Sequence, residues 1–155
     1  DQIDVVVGPV LGGIVLSQWV AHHLNSRRAG GETLAAFVEK GSEGSDKKFL
    51  FTRGYGKHIA GKNILVVEDL LTTGGTVRQI VEVVREAGGN VVGVSALCNR
   101  GNVQPEAVGG VPIHALIEIN LQTYMAEECP FCQQGVPINT ELGKGRAFLA
   151  KQKVG

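Results

Sequence analysis

The sequence predicts an α/β fold, a doubly wound and mainly parallel sheet flanked by helices. Two observations predict the sheet. Residues 5–7 (VVV) and 64–67 (ILVV) are apolar at every position, as expected of strands covered on both faces. Aromatic residues are only 5% of the chain, so its interior must be built from Val, Ile, Leu and Ala. A third observation predicts strand direction. Residues 64–67, the helically spaced Val77, Ile80, Val81, Val84 and Ala87, and the strand-like residues 91–97 form a strand–helix–strand unit. Such a unit crosses over right-handed between parallel strands.

The elements follow in order. Residues 5–7 run into the glycine loop GPVLGG (8–13), after which Ile14, Leu16, Val20, Ala21 and Leu24 recur at roughly helical spacing. Residues 34–38 (LAAFV) read as a second strand. Residues 39–48 are polar, carry glycine and show no apolar period, so a flexible lid loop is expected there. FLFTR (49–53) is expected as an edge strand before the turn Gly54-Tyr55-Gly56. After the strand at 64–67, the helix ends at Gly88-Gly89 and residues 91–97 return to the sheet. Ligands of such sheets bind beyond the carboxyl ends of the strands, where both glycine loops and Glu68-Asp69 fall.

A chain of 155 residues is expected to be one domain, 1–155, with a single core. Fifteen basic and fifteen acidic side chains cancel, removing the long-range positive field with which a general nucleic-acid binder gathers phosphates. Any anion site must therefore be local. No stretch reaches the roughly 18 apolar residues of a membrane span. Cys98, Cys129 and Cys132 are too few and too unevenly placed for a disulfide framework. A cytoplasmic protein with neither nucleic acid nor membrane among its partners is expected.

Residues 68–76, EDLLTTGGT, are read as a loop with two halves. In the second, Gly74 and Gly75 let backbone N–H groups approach an oxyanion, Thr72, Thr73 and Thr76 offer hydroxyls, and the following helix adds its dipole. Thr76 also suits a helix N-cap. In the first half, Glu68 and Asp69 repel a phosphate unless ribose hydroxyls or a divalent cation lie between. The combination points to a sugar phosphate.

Residues 64–76, ILVVEDLLTTGGT, resemble the phosphoribosyl pyrophosphate signature of the type I phosphoribosyltransferases, and GPVLGGI resembles that family's pyrophosphate loop. The resemblance implies that Thr72, Thr73, Gly74, Gly75 and Thr76 hold the 5-phosphate and that Glu68 and Asp69 face the ribose. It also implies that backbone groups of Val10, Leu11 and Gly12 meet the pyrophosphate. Within the family, GPVLGGIVLSQWVAHHL, AFVEK, the run from FTRGYG to NVVGV and the late ECPFCQQGVPI resemble a bacterial group of orotate phosphoribosyltransferases. Arg100 falls where those enzymes carry an Asp-Arg pair whose arginine binds the pyrimidine carboxylate, and a guanidinium suits that partner. Asn99 stands in place of the acid.

The likeness further implies Mg2+ bound mainly through phosphoribosyl pyrophosphate, and a homodimer whose lid cations serve the neighbouring site. Lys40, Arg53 and Lys57 are the favoured lid cations, with Lys57 joining Glu68 and Asp69 as a catalytic residue. Orotate enzymes also carry an N-terminal helical hood, whereas this sequence begins at the first sheet strand, so a hood segment is expected to be missing from it. Two other readings stay open: a purine phosphoribosyltransferase, which DLLTTGGT also resembles, and a regulatory module that binds a phosphoribosyl ligand without catalysis.

GKHIAGKN (56–63) falls short of a P-loop, because Asn63 lacks the magnesium-binding hydroxyl and a strand follows where a helix is required. Cys129-Pro130-Phe131-Cys132 has the spacing of half a zinc site or of a redox pair, with no second Cys or His pair nearby. His22, His23 and His114 have no nucleophile or base at a suggestive spacing and read as structural or surface residues.

Overall fold

Six strands form one sheet in the order β3-β2-β1-β4-β5-β6 in a computed structural model, which describes residues 2–27, 30–41, 48–122 and 124–152. They are β1 (Val5–Pro9), β2 (Leu34–Lys40), β3 (Phe49–Leu50), β4 (Asn63–Leu71), β5 (Asn90–Asn99) and β6 (Ile113–Glu118). All neighbours pair in parallel except β2 with β3, which is antiparallel at the edge. The chain divides into two compact units, Asp1–Leu121, which contains the sheet, and Gln122–Gly155. The second unit carries α3 (Pro130–Gln133) and α4 (Gly145–Gln152).

The apolar runs become the central strands because both their faces are covered. Strand alternation sends Val5, Val7, Ile64 and Val66 to one face, where they pack with Val77, Ile80, Val81 and Val84 of α2 (Gly75–Glu86). Val6 and Val67 point the other way and pack with Ala21 of α1 (Gly12–Ser26). The doubly wound α/β sheet expected from the sequence is therefore present, with its helices on opposite faces.

Strand order places the site. From β1 the chain moves outward to β2 and β3, then returns to lay β4 against the opposite side of β1. The loops leaving the ends of β1 and β4 diverge there, opening a crevice at the carboxyl ends of the strands.

Several expected boundaries shift. β4 continues through Leu71, so Glu68 and Asp69 belong to the strand and not to a loop; Glu68, Leu70 and Leu71 stay in register with Ala96, Cys98 and Asn99 of β5. The edge strand expected over 49–53 ends at Leu50, and Arg53 and Gly54 follow with φ of 54° and 79°, which an extended strand cannot accommodate. Glu39 and Lys40 pair with Leu50 and Phe49 and are strand residues; most of the expected lid, residues 42–47, lies outside the described residues. Thr76 is not a helix cap: Gly74, at φ 77°, holds that position. Among the described residues no helix is long and apolar enough to cross a membrane.

Ile80 is fully buried between α2 and the sheet. Ile80→Ala is expected to cost about 2–5 kcal/mol in urea unfolding through lost burial and the cavity left behind.

A candidate active site at the ends of β1, β4 and β5

β4 delivers two carboxylates to different environments. Glu68 shares the face of Ile64 and Val66 and is 8% exposed, while its Oε1 accepts the Asp69 N–H at 3.1 Å. Burial, followed by hydrogen bonding with the Asp69 side chain and repulsion from it, pushes the Glu68 carboxyl up from 4.5 to about 7. Asp69 is exposed and turns toward the loop after β1: a Cβ on Gly12 would stand 2.8 Å from its Oδ2. The loop after β1 thus meets β4 at Asp69.

The loop after β1 is closed by contacts that leave no room for side chains. A Cβ on Gly8 would lie 2.4 Å from the Gly13 carbonyl oxygen, and one on Gly13 would lie 2.5 Å from Pro9 Cδ. Val10 donates its N–H to the Val38 carbonyl at 3.1 Å, tying the loop to the end of β2. The Val10–Leu11 peptide is cis, and Leu11 projects into solvent.

Beyond β4 lies a concavity of about 100 Å³, lined chiefly by Glu68 and by Thr72 through Thr76. Its floor is the start of α2, where Gly74 makes no side-chain capping bond and the Gly75 N–H reaches Thr73 Oγ1 only at 3.4 Å. Free N–H groups at the start of a twelve-residue helix, with threonine hydroxyls around them, suit a phosphoryl group.

A third loop, after β5, is moulded onto the second. Arg100 donates its N–H to the Leu71 carbonyl at 2.9 Å. Gly101 packs so tightly that a Cβ would fall 1.7 Å from the Thr72 carbonyl oxygen. Val103 fills the space beneath Gly74, where an added Cβ would meet it at 2.8 Å. The buried Asn99 closes this loop: its Nδ2 donates to the Val103 carbonyl at 3.1 Å and its Oδ1 accepts the Val103 N–H at 2.9 Å. Arg100 Nε is buried with no hydrogen-bond partner among the described residues. Beside the loop, a recess of about 230 Å³ is lined by Asn99, Asn102, Glu118, Ile119 and Asn120.

The sequence singled out Arg100 and gave Asn99, Gly101 and Val103 no structural role. Only the neighbour of Gly101 in space, the Thr72 carbonyl, reveals why glycine is needed there.

The structure brings Val10, Leu11, Gly12, Glu68, Asp69, residues 72–76 and Arg100 to one end of the sheet. Lys40 ends β2 at that same end, its Nζ lying 5.3 Å from the centre of the Phe49 ring. Arg53 and Lys57 lie alongside β2, not at its end. With Tyr55 and His58 they line a cavity of about 360 Å³ against Val5 of β1 and Leu34, Ala35 and Ala36 of β2. Arg53 Nε also lies 3.9 Å from Glu39, which accepts the Thr52 hydroxyl.

Among the described residues no three His, Cys, Asp or Glu side chains converge on a metal position. Glu68 and Asp69 offer one or two carboxylates, a donor set that suits Mg2+ retaining waters and substrate phosphate oxygens.

Two expectations follow. Gly101→Ala must displace either the 100–103 loop or Thr72, and is expected to cost about 1–3 kcal/mol in urea unfolding and to weaken inorganic phosphate binding in calorimetry. Glu68 holds its proton more tightly folded, at about 7, than at its ordinary 4.5. The stability this contributes is complete below 4.5 and lost as pH rises through about 7. Urea midpoints are expected to fall across that window, and to fall less in Glu68→Gln.

Comparison with known proteins accounts for this arrangement. The profile of the phosphoribosyl transferase domain matches residues 1–112. The chain is 37% identical over 137 residues to orotate phosphoribosyltransferase of Caldanaerobacter subterraneus subsp. tengcongensis, covering 88% of this chain and 65% of that protein. It is 40% identical over 139 residues to the enzyme of that name from Caldicellulosiruptor saccharolyticus, covering 89% and 65%. The chain therefore spans slightly less than two thirds of these relatives. Among solved structures, Mycobacterium tuberculosis orotate phosphoribosyltransferase in complex with 5-phospho-α-D-ribosyl 1-diphosphate superposes with a TM-score of 0.54 at 29% identity, over 75% of this chain and 63% of that one. Rhodothermus marinus adenine phosphoribosyltransferase shares the fold, with a TM-score of 0.57 at 24% identity over 77% and 71%. A glycine loop, an acidic pair and a phosphate cradle at one switch point, together with these matches, establish that the chain belongs to the type I phosphoribosyltransferase family.

Proposed function

We propose that the protein transfers the phosphoribosyl group of 5-phosphoribosyl-1-pyrophosphate to orotate, giving orotidine 5'-monophosphate and pyrophosphate. The observation that carries this reading is the seating of the Arg100 loop directly on the phosphate cradle, through Leu71, Thr72 and Gly74. A cation for the base's carboxylate is thereby held at a set distance from the group that holds the 5-phosphate. The orotate phosphoribosyltransferases named above support the same assignment.

In this reading, Thr72 through Thr76 anchor the 5-phosphate, Glu68 and Asp69 lie under the ribose, and the Val10–Gly12 backbone receives the pyrophosphate. Pyrophosphate leaves the anomeric carbon and a ring nitrogen of the base attacks from the opposite face. Asp69 favours the positive charge that develops on the ribose ring. Bound Mg2+ supplies neutralisation of the pyrophosphate. Lys40, Arg53 and Lys57 are the cations that would meet the pyrophosphate, from their own chain or from a second one in a homodimer. Leu11, Val15 and Trp19, 83%, 63% and 57% exposed and spaced by four, form an apolar row along α1 that supports such an association.

The test offers orotate, uracil, adenine and hypoxanthine separately, with phosphoribosyl pyrophosphate and Mg2+, to the full-length protein. Orotidine monophosphate alone is expected. Asp69→Asn is expected to lower turnover on the order of 10²-fold with the fold intact, and Arg100→Ala to raise KM for orotate on the order of 10²-fold. Reaction with a purine, or ligand binding without any product, overturns the reading.

A further inference from the structure

Cys129 and Cys132 lie in the unit Gln122–Gly155 and have no role in phosphoribosyl transfer as proposed. Cys129 stands in extended backbone, φ −71° and ψ 115°, immediately before the single turn of α3, and Cys132 is the third residue of that turn. The turn is held by hydrogen bonds from the Gln133 N–H to the Cys129 carbonyl at 3.0 Å and from the Val136 N–H to the Phe131 carbonyl at 2.9 Å. Residues three apart across a helical turn bring their Cβ atoms to about 5–6 Å, so a small adjustment meets the ~3.5–4.5 Å of a disulfide. Both cysteines are reduced, Cys132 exposed and Cys129 half-buried.

We propose that Cys129 and Cys132 form a redox-active dithiol that low-molecular-weight disulfides oxidise to an intramolecular disulfide. The two sulfurs have distinct roles. Hydrogen bonds to Cys129, first from the Cys132 N–H and also from the Cys132 thiol and the Phe131 N–H, draw its thiol below the usual range. Cys132, donating to that sulfur, is pushed up. Cys129 thiolate therefore attacks one sulfur of the small disulfide and expels the other half as a thiolate. Cys132 releases its proton, attacks the Cys129 sulfur of the mixed disulfide and expels the second half. The protein loses two electrons and two protons, and the small disulfide becomes two thiols. A metal site within one chain fits less well, because no third ligand joins the pair among the described residues.

The test exposes the reduced full chain to oxidised glutathione without oxygen and reads the products by mass. Trypsin cuts after Arg100 and Lys144, which isolates the pair on one peptide and leaves Cys98 on another. The wild-type peptide is expected to lose two hydrogens and retain no glutathione. Cys132→Ser is expected to keep one glutathione on Cys129, and Cys129→Ser to react more slowly at Cys132. Stable adducts on both cysteines of the wild type, no reaction, or purification with one zinc per two chains would each overturn the proposal. None of these outcomes depends on phosphoribosyl transfer.

Discussion

The parallel pairing of β4 with β1 on one side and β5 on the other is the constraint on which the site depends. Ile64, Val66 and Val67 are at most 1% exposed, so the strand can neither slide nor rotate without exposing one of its faces. Its last four residues inherit that rigidity. Glu68 to Leu71 are held in the ladder with β5, and the order reversal between β1 and β4 keeps the crevice above them open.

The electrostatics of the crevice follow from strand alternation. Two adjacent carboxylates next to an anion cradle would oppose phosphate binding if both were charged and equally exposed. Here they separate: Glu68 turns toward the α2 face, where burial keeps it partly neutral near pH 7, while Asp69 remains exposed toward the first loop. One acid can then donate a hydrogen bond while the other presents charge to the crevice.

Packing links the loop of residues 72–76 to the loop after β5. Gly101 against Thr72 and Val103 under Gly74 mean that the loop carrying Arg100 cannot move without disturbing residues 72–76. Asn99 suits this position for a local reason. Its amide satisfies both the N–H and the carbonyl of Val103, whereas an ionised acid accepts the first and has no proton for the second. The departure from the Asp-Arg pair of the orotate enzymes therefore matches the hydrogen bonding of this loop.

Much of the fold and of the candidate site was legible in the sequence because its determinants are local. Residues 5–7 and 64–67 are apolar throughout, the face marked by Val77, Ile80, Val81 and Val84 repeats at helical spacing, and EDLLTTGGT places acids, hydroxyls and glycines within one strand-to-helix turn. Local patterning did not mark where β4 ends, because ladder pairing with β5 carries Glu68 to Leu71 into the sheet regardless of their polarity. Nor did it separate the cations: Lys40, Arg53 and Lys57 look equivalent along the chain, yet Lys40 ends β2 whereas the antiparallel return of β3 lays the latter two alongside that strand. The need for glycine at 101, the clip made by Asn99 and the raised proton affinity of Glu68 were decided only by tertiary structure. Each depends on a neighbour that is distant in sequence or on burial, which spacing along the chain does not encode.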